Sequence, residues 1–206
     1  METCKVTGLK QGVRDENRVN VYINGKFAFS LTVAQIVNFH IKVGDEISAE
    51  KLAEYKKASE CGKLYQRALE WAILRPRSKK ELYDYLCKKI YEKKIDKKYI
   101  DEIIQELEVK KYVDDSKFAE YYVENRFVKK GVSAKRLRME LAKKGVAKEI
   151  IEEAVSGSER SDEEEIKKII EKKHNKMDAE KLVAYLCRQG FSFSLSRELV
   201  SQYEKD

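Results

Sequence analysis

Polar and apolar residues alternate along "VNVYINGKFAFSL": Val19, Val21 and Ile23 are apolar, Asn24-Gly25 interrupts, and Phe27, Phe29 and Leu31 resume the pattern. A period of two belongs to a strand with one buried face, and both residues of an Asn-Gly pair tolerate the positive φ of a type I′ turn. The stretch therefore predicts a β-hairpin. "CKVTGLKQG" reads as a first strand pairing with it, and "LTVAQIVNFHIKVGDEIS" supplies a short helix and a turn. Residues 1 to 48 are expected to form a small β-rich cap.

From about Ala49 the period becomes helical, and the chain repeats itself. "SKKELYDYLCKKI" from Ser78, "SAKRLRMELAKKG" from Ser133 and "DAEKLVAYLCRQG" from Asp178 each open on a capping residue and place leucine four and eight residues later: Leu82 and Leu86, Leu137 and Leu141, Leu182 and Leu186. Leucines four apart share a helix face, so each segment is the middle helix of a three-helix unit. The flanking helices fall at about 63–74 and 97–110, 115–128 and 147–155, and 162–173 and 193–203. Gly145 and Gly190 stand where two middle helices should stop, while the first unit has Ile90 and a longer lysine-rich turn.

The fold class expected is mainly α: three three-helix units in an elongated, curved tandem array behind the β-rich cap. The boundaries are 1–48 for the cap, 49–112 for unit one with a lead-in helix, 113–156 for unit two and 157–206 for unit three. A three-helix unit of this size buries too little surface to stand alone, so the units must share a core with their neighbours.

Composition narrows the function. Charged residues make up 38% of the 206 and the net charge is +7. Arg126, Lys129, Lys130, Lys135, Arg136, Arg138, Lys143, Lys144 and Lys148 face a single acid, Glu140, giving this window a net of +8 and the rest of the chain −1. Such a window suits phosphate or an acidic protein groove. Cys4, Cys61, Cys87 and Cys187 are scattered, which predicts buried, reduced thiols rather than a disulfide frame or a zinc site. The start "METCKVTGLK" is not a signal peptide and no run is long enough to span a membrane, so a cytoplasmic protein is expected.

Catalytic patterns are missing. His40 and His174 have no second histidine at metal spacing, and no nucleotide-binding or nucleophile motif occurs, so no enzyme, cofactor or metal is expected. Asp114 and Asp115 read as helix-start capping rather than acid/base chemistry, and Trp71 and the tyrosines read as packing. Gly131 should make a left-handed turn. In "SGSERSDEEE", Ser161 and Glu164 make a capping box.

As an ordered set, "ALEWAILRPRSKKELYDYLCKK", "LEVKKYVDDSKFAEYYVENR" and "KKGVSAKRLRMELAKKGV" resemble the RecX family of regulators of the RecA recombinase. The likeness covers residues 63 to about 155 closely and the third unit more loosely, with the first 48 residues outside it. It implies a non-enzymatic protein of tandem three-helix units that binds the RecA filament on DNA, lies in its helical groove, and inhibits filament growth, ATP hydrolysis and strand exchange in recombination and DNA repair; a monomer is expected.

Candidate contacts are Arg126, Lys129, Lys130, Lys135, Arg136, Arg138, Lys143 and Lys144. The family-motif residues read as structural are Arg75, Arg77, Ser78, Glu81, Leu82, Asp114, Asp115, Phe118, Ala119, Gly131, Leu141 and Gly145. The alternative is a direct DNA-binding protein of tandem basic helical units, and weak DNA affinity beside the first role is expected. The cap could cover the first unit, touch a partner or help dimerisation.

The only proline, Pro76 in "LRPRSKKEL", biases Arg75 out of the α region and ends one helix so that Ser78 can cap the next, with Glu81 completing a capping box. Arg75 and Arg77 could pair with Asp114 or Asp115, or face the partner.

Overall fold

The computed structural model describes residues 4–13, 15–91 and 97–204. The N-terminal strands are β1 (Cys4–Gln11), β2 (Arg18–Ile23), β3 (Lys26–Thr32) and β4 (Glu46–Ile47), in an antiparallel sheet of order β3-β2-β1-β4. The hairpin turns as its residues demand, with φ of 49° at Asn24 and 79° at Gly25. One expected core residue is displaced. A register shift between Val21 and Tyr22 leaves Phe27 56% exposed against the edge of Tyr22, while Val21, Ile23, Phe29 and Leu31 stay buried. Helix α1 (Val33–Asn38) starts on a complete Thr32–Gln35 capping box.

Helix α2 (Ala49–Ile73) is continuous, so the lead-in helix and the first helix of unit one are one element. A lone interior glycine, Gly62, costs only about 1 kcal/mol. Tyr55, Leu64, Ala68 and Ala72 are buried along the helix, and that burial outweighs it. Tyr55 completes the sheet's apolar core with Val6, Val21, Phe29, Leu31, Ile41 and Ile47. Trp71 stacks on Tyr85 at 4.7 Å, a packing role. The four cysteines are free and only half-buried, more open than their residue type suggests.

The remaining helices are α3 (Lys79–Tyr91), α4 (Lys98–Val109), α5 (Asp115–Asn125), α6 (Ala134–Lys143), α7 (Lys148–Ser156), α8 (Asp162–Lys173), α9 (Ala179–Arg188) and α10 (Phe193–Tyr203), with a 3-10 turn at His174–Lys176. The expected middle helices are α3, α6 and α9. The lysine-rich turn of the first unit falls on residues 92–96, outside the described residues. Helix α5 stops three residues short of expectation because Phe127 takes a left-handed φ of 49°.

Helices α5, α6 and α7 close on Phe118, Ala119, Val123, Leu137, Leu141 and Ile151. Helices α8, α9 and α10 close on Ile166, Ile169, Ile170, Leu182, Leu186, Leu199 and Val200. By contacts the chain forms two compact units, one of the chain up to Trp71 with Tyr85–Ile103, the other of Ala72–Asp84 with Ile104–Asp206. Among the described residues no helix is long and apolar enough to cross a membrane.

Candidate partner-binding surface

The second compact unit is jointed by one recurring arrangement. Ser78 caps α3 by accepting the Glu81 N–H at 3.1 Å, and its hydroxyl donates to the Lys144 carbonyl at 2.9 Å. Ser133 repeats both bonds at α6, accepting from Arg136 N at 3.2 Å and donating to the Gln189 carbonyl at 2.8 Å. The first amide of α3 and of α6 goes to a carboxylate of the next unit: Lys79 N to Asp115 Oδ1 at 2.9 Å, Ala134 N to Asp162 Oδ1 at 2.8 Å. Orphan helix-start amides are thereby satisfied by a neighbour rather than by water. Gly145 and Gly190, at φ of 78° and 98°, also let the chains approach closely. A Cβ on Gly145 would stand 2.9 Å from Lys80 Cβ, and one on Gly190 2.7 Å from Ser133 Oγ.

The acids do more than cap. Asp114 accepts Ser116 N and Lys117 N as the N-cap of α5, as expected. Asp115 instead reaches back to α3, and burial pushes its carboxyl above the usual range despite the Lys79 amide. In "SDEEE", Ser161 accepts the Glu164 N–H, but the working acids are Asp162 and Glu165. Glu165 is 1% exposed and sits where Phe118 sits relative to Asp115. It accepts the Val132 amide at 2.8 Å, both Nε and Nη2 of Arg160, and Lys168 Nζ at 2.7 Å. Burial opposes its charge, yet these donors hold it below the ordinary carboxylate value. Arg160 also donates to the Val123 and Arg126 carbonyls. Gly131, at φ of 77°, passes close to α8: a Cβ there would stand 2.5 Å from the Glu165 carbonyl oxygen.

At the proline corner, α2 ends at Ile73 and α3 begins at Lys79, as Pro76 requires. Glu81, however, does not reach back to make a box. Its carboxylate is bonded by Lys144 Nζ, with Arg75 Nη2 at 3.2 Å and Arg77 Nη1 at 3.9 Å. The arginines thus bear on Glu81, because both aspartates are taken up by backbone amides. A cleft of about 330 Å³ opens beside them, lined by Ile73, Arg75, Arg77, Tyr112, Asp114 and Lys117 among others.

The basic window separates into two populations. Arg126 grips Glu140 through Nε at 2.6 Å and Nη2 at 3.1 Å, Arg136 Nε adds a third bond at 3.2 Å, and the Tyr122 hydroxyl a fourth at 2.7 Å. Burial alone would raise the Glu140 carboxyl, but the Arg126, Tyr122 and Arg136 bonds bring it down to about 2. Burial and the bond to Glu140 push Tyr122 up to about 12. The Arg126 guanidinium lies 3.4 Å from the Phe127 ring centre. Arg136 also meets Gln189, Arg138 pairs with Glu152 at 2.9 Å, and Lys144 is held by Glu81.

Lys129, Lys130, Lys135, Lys143 and Lys148 are exposed. Lys135, Met139 and Lys143 fall at i, i+4 and i+8, one ridge of α6, and Met139 is 54% exposed between the two ammonium groups.

Residues 114–155 match the family model for the second three-helix domain of RecX, and residues 4–48 match that for the N-terminal domain of regulatory protein RecX. Regulatory protein RecX of Bacillus licheniformis is 30% identical over 211 residues, which cover 98% of this chain and 79% of that protein. This chain belongs to the RecX family. RecX of Bacillus subtilis is 31% identical over 212 residues, covering 98% and 78%. The fold agrees too: a crystal structure of regulatory protein RecX superposes with a TM-score of 0.72 at 22% identity, covering 97% of this chain and 99% of that one. The β-rich cap, which the motif resemblance left outside, therefore matches the RecX N-terminal domain. Its strands carry no loud motif, only alternation and one Asn-Gly turn.

Proposed function

We propose that this RecX-family chain binds the RecA recombinase filament on DNA, lying in its helical groove, and slows filament growth, ATP hydrolysis and strand exchange in recombination and DNA repair. The observation that carries the reading is the lysine ridge. Lys129 and Lys130 stand exposed in the turn before α6, and Lys135 and Lys143 on its ridge with Met139, while Arg126, Arg136 and Arg138 are engaged with Glu140 and Glu152. A filament groove offers acidic side chains and phosphates at short intervals, and ammonium groups on a rigid helix suit diffuse charge of that kind. The same ridge favours, as a second reading, direct binding to the DNA backbone, since lysines neutralise phosphates without reading bases.

One titration separates them. Added to preformed RecA filaments on single-stranded DNA, the protein should lower ATP hydrolysis at stoichiometric amounts; unchanged hydrolysis at excess would contradict the proposal. Binding to bare DNA that matches filament binding in strength and falls equally steeply with salt would favour the second reading.

A further inference from the structure

Two of the middle helices, α6 and α9, do not start alike. Around the start of α6, Val123, Val132, Ala134, Leu137 and Val155 enclose Arg160, Ser161, Asp162 and Glu165, and only about 10 Å³ of space remains. Aligning Asp115 on Asp162 and Ser133 on Asp178 carries those five wall positions onto Ile170, Met177, Ala179, Leu182 and Val200. Together with His174, Tyr203 and Glu204, these five line a cavity of about 200 Å³. The space that those residues fill at α6 is open at α9 among the described residues. The N-cap Asp178 serves its own helix through Lys181 N at 2.8 Å, and among the described residues no carboxylate accepts the Ala179 amide, the equivalent of the amide that Asp162 takes at α6.

We propose that this cavity is a docking site for the first turn of an α-helix on another protein, with an aspartate at its first position accepting the Ala179 N–H and an apolar or aromatic residue three positions later filling the cavity. The occupant's chemistry is read from the chain's own joints, where Asp115 is followed by Phe118 and Asp162 by Glu165. The walls select between the two. Glu165 is buried only in company with Arg160 and Lys168, whereas Ile170, Met177, Leu182 and Val200 present aliphatic surface that suits a Phe118-like side chain. The site shares no residue with the lysine ridge and stands whether or not that ridge binds a filament.

The probe is a synthetic peptide with the sequence of residues 113–128, titrated into the full, isotope-labelled chain and followed by NMR. Saturable shifts are expected at the Ala179 amide and at the methyl groups of Met177, Leu182 and Val200. Peptides carrying Asp115→Asn or Phe118→Ala should bind about tenfold more weakly, the scale of one lost charge-assisted bond or one lost buried ring. Ala179→Pro in the protein should do the same with an unchanged melting temperature, because proline is well accepted at the first position of a helix and removes only the donor. Asp178 already has the extended backbone that a following proline favours, at φ −69° and ψ 163°. No saturable shift with millimolar peptide, shifts elsewhere on the protein, or equal binding by all three peptides would overturn the proposal.

Discussion

The arginines and the lysines of residues 126–144 carry the same charge and stand within α6, its C-cap and the preceding loop, yet they are differently placed to meet a partner. Arg126, Arg136 and Arg138 are spent on Glu140 and Glu152, and Lys144 on Glu81, whereas Lys129, Lys130, Lys135 and Lys143 project into solvent. Guanidinium groups fit carboxylates in two-point geometry and shed water more readily than ammonium groups, so the chain uses arginine for its internal ties and leaves lysine outside. A count of basic residues therefore measures the charge of a window but not how much of it is available to a partner.

The largest effect should come from removing the group that holds the arginines. Glu140→Ala strands Arg126 and Arg136 together with the Tyr122 hydroxyl, and a loss of about 2–3 kcal/mol is expected in urea unfolding, the range for charge-assisted bonds that are only partly exposed. The pH dependence follows from the same group. With its folded-state pKa near 2, below the ordinary Glu value of about 4.3, Glu140 contributes stability above that ordinary value. This contribution is lost as pH falls from there toward 2. An acid melt of wild type against Glu140→Gln should show the variant flatter across that window.

A smaller change is expected from Arg138→Ala. Its partner Glu152 is well exposed, and such pairs contribute at most about 1 kcal/mol. The smallest change in stability belongs to the lysines. Replacing Lys129, Lys130, Lys135 and Lys143 by alanine should move each contribution by no more than about 0.5 kcal/mol. A large loss from the lysine variant, or none from Glu140→Ala, would erase the distinction between the two populations.

Much of the fold was legible because local signals agreed with the global packing. Asn24-Gly25 turned the hairpin, leucines four residues apart marked the middle helices, and Ser78, Ser133 and Asp178 capped them. What escaped was long-range. Glu165 looked like one of four acids at a helix start, although its alignment with the wholly buried Phe118 put an acid into an apolar register, a signal of an internal ion pair. Glu81 read as half of a capping box, but three cations of the surrounding structure outbid the local backbone. The tie from Arg126 to Glu140 spans a turn whose path is set by Phe127 in the left-handed region, which a bulky residue rarely adopts and no pattern announces.

The proposal that the lysine ridge contacts the recombinase filament is tested most directly by comparing three forms of the protein in one ATP-hydrolysis titration: wild type, the Lys129/Lys130/Lys135/Lys143→Ala variant, and Arg138→Ala. With melting temperatures matched to within the small differences above, wild type and Arg138→Ala should inhibit filament hydrolysis alike, and the lysine variant should need at least about tenfold more protein for the same inhibition. Full inhibition by the lysine variant would contradict the account.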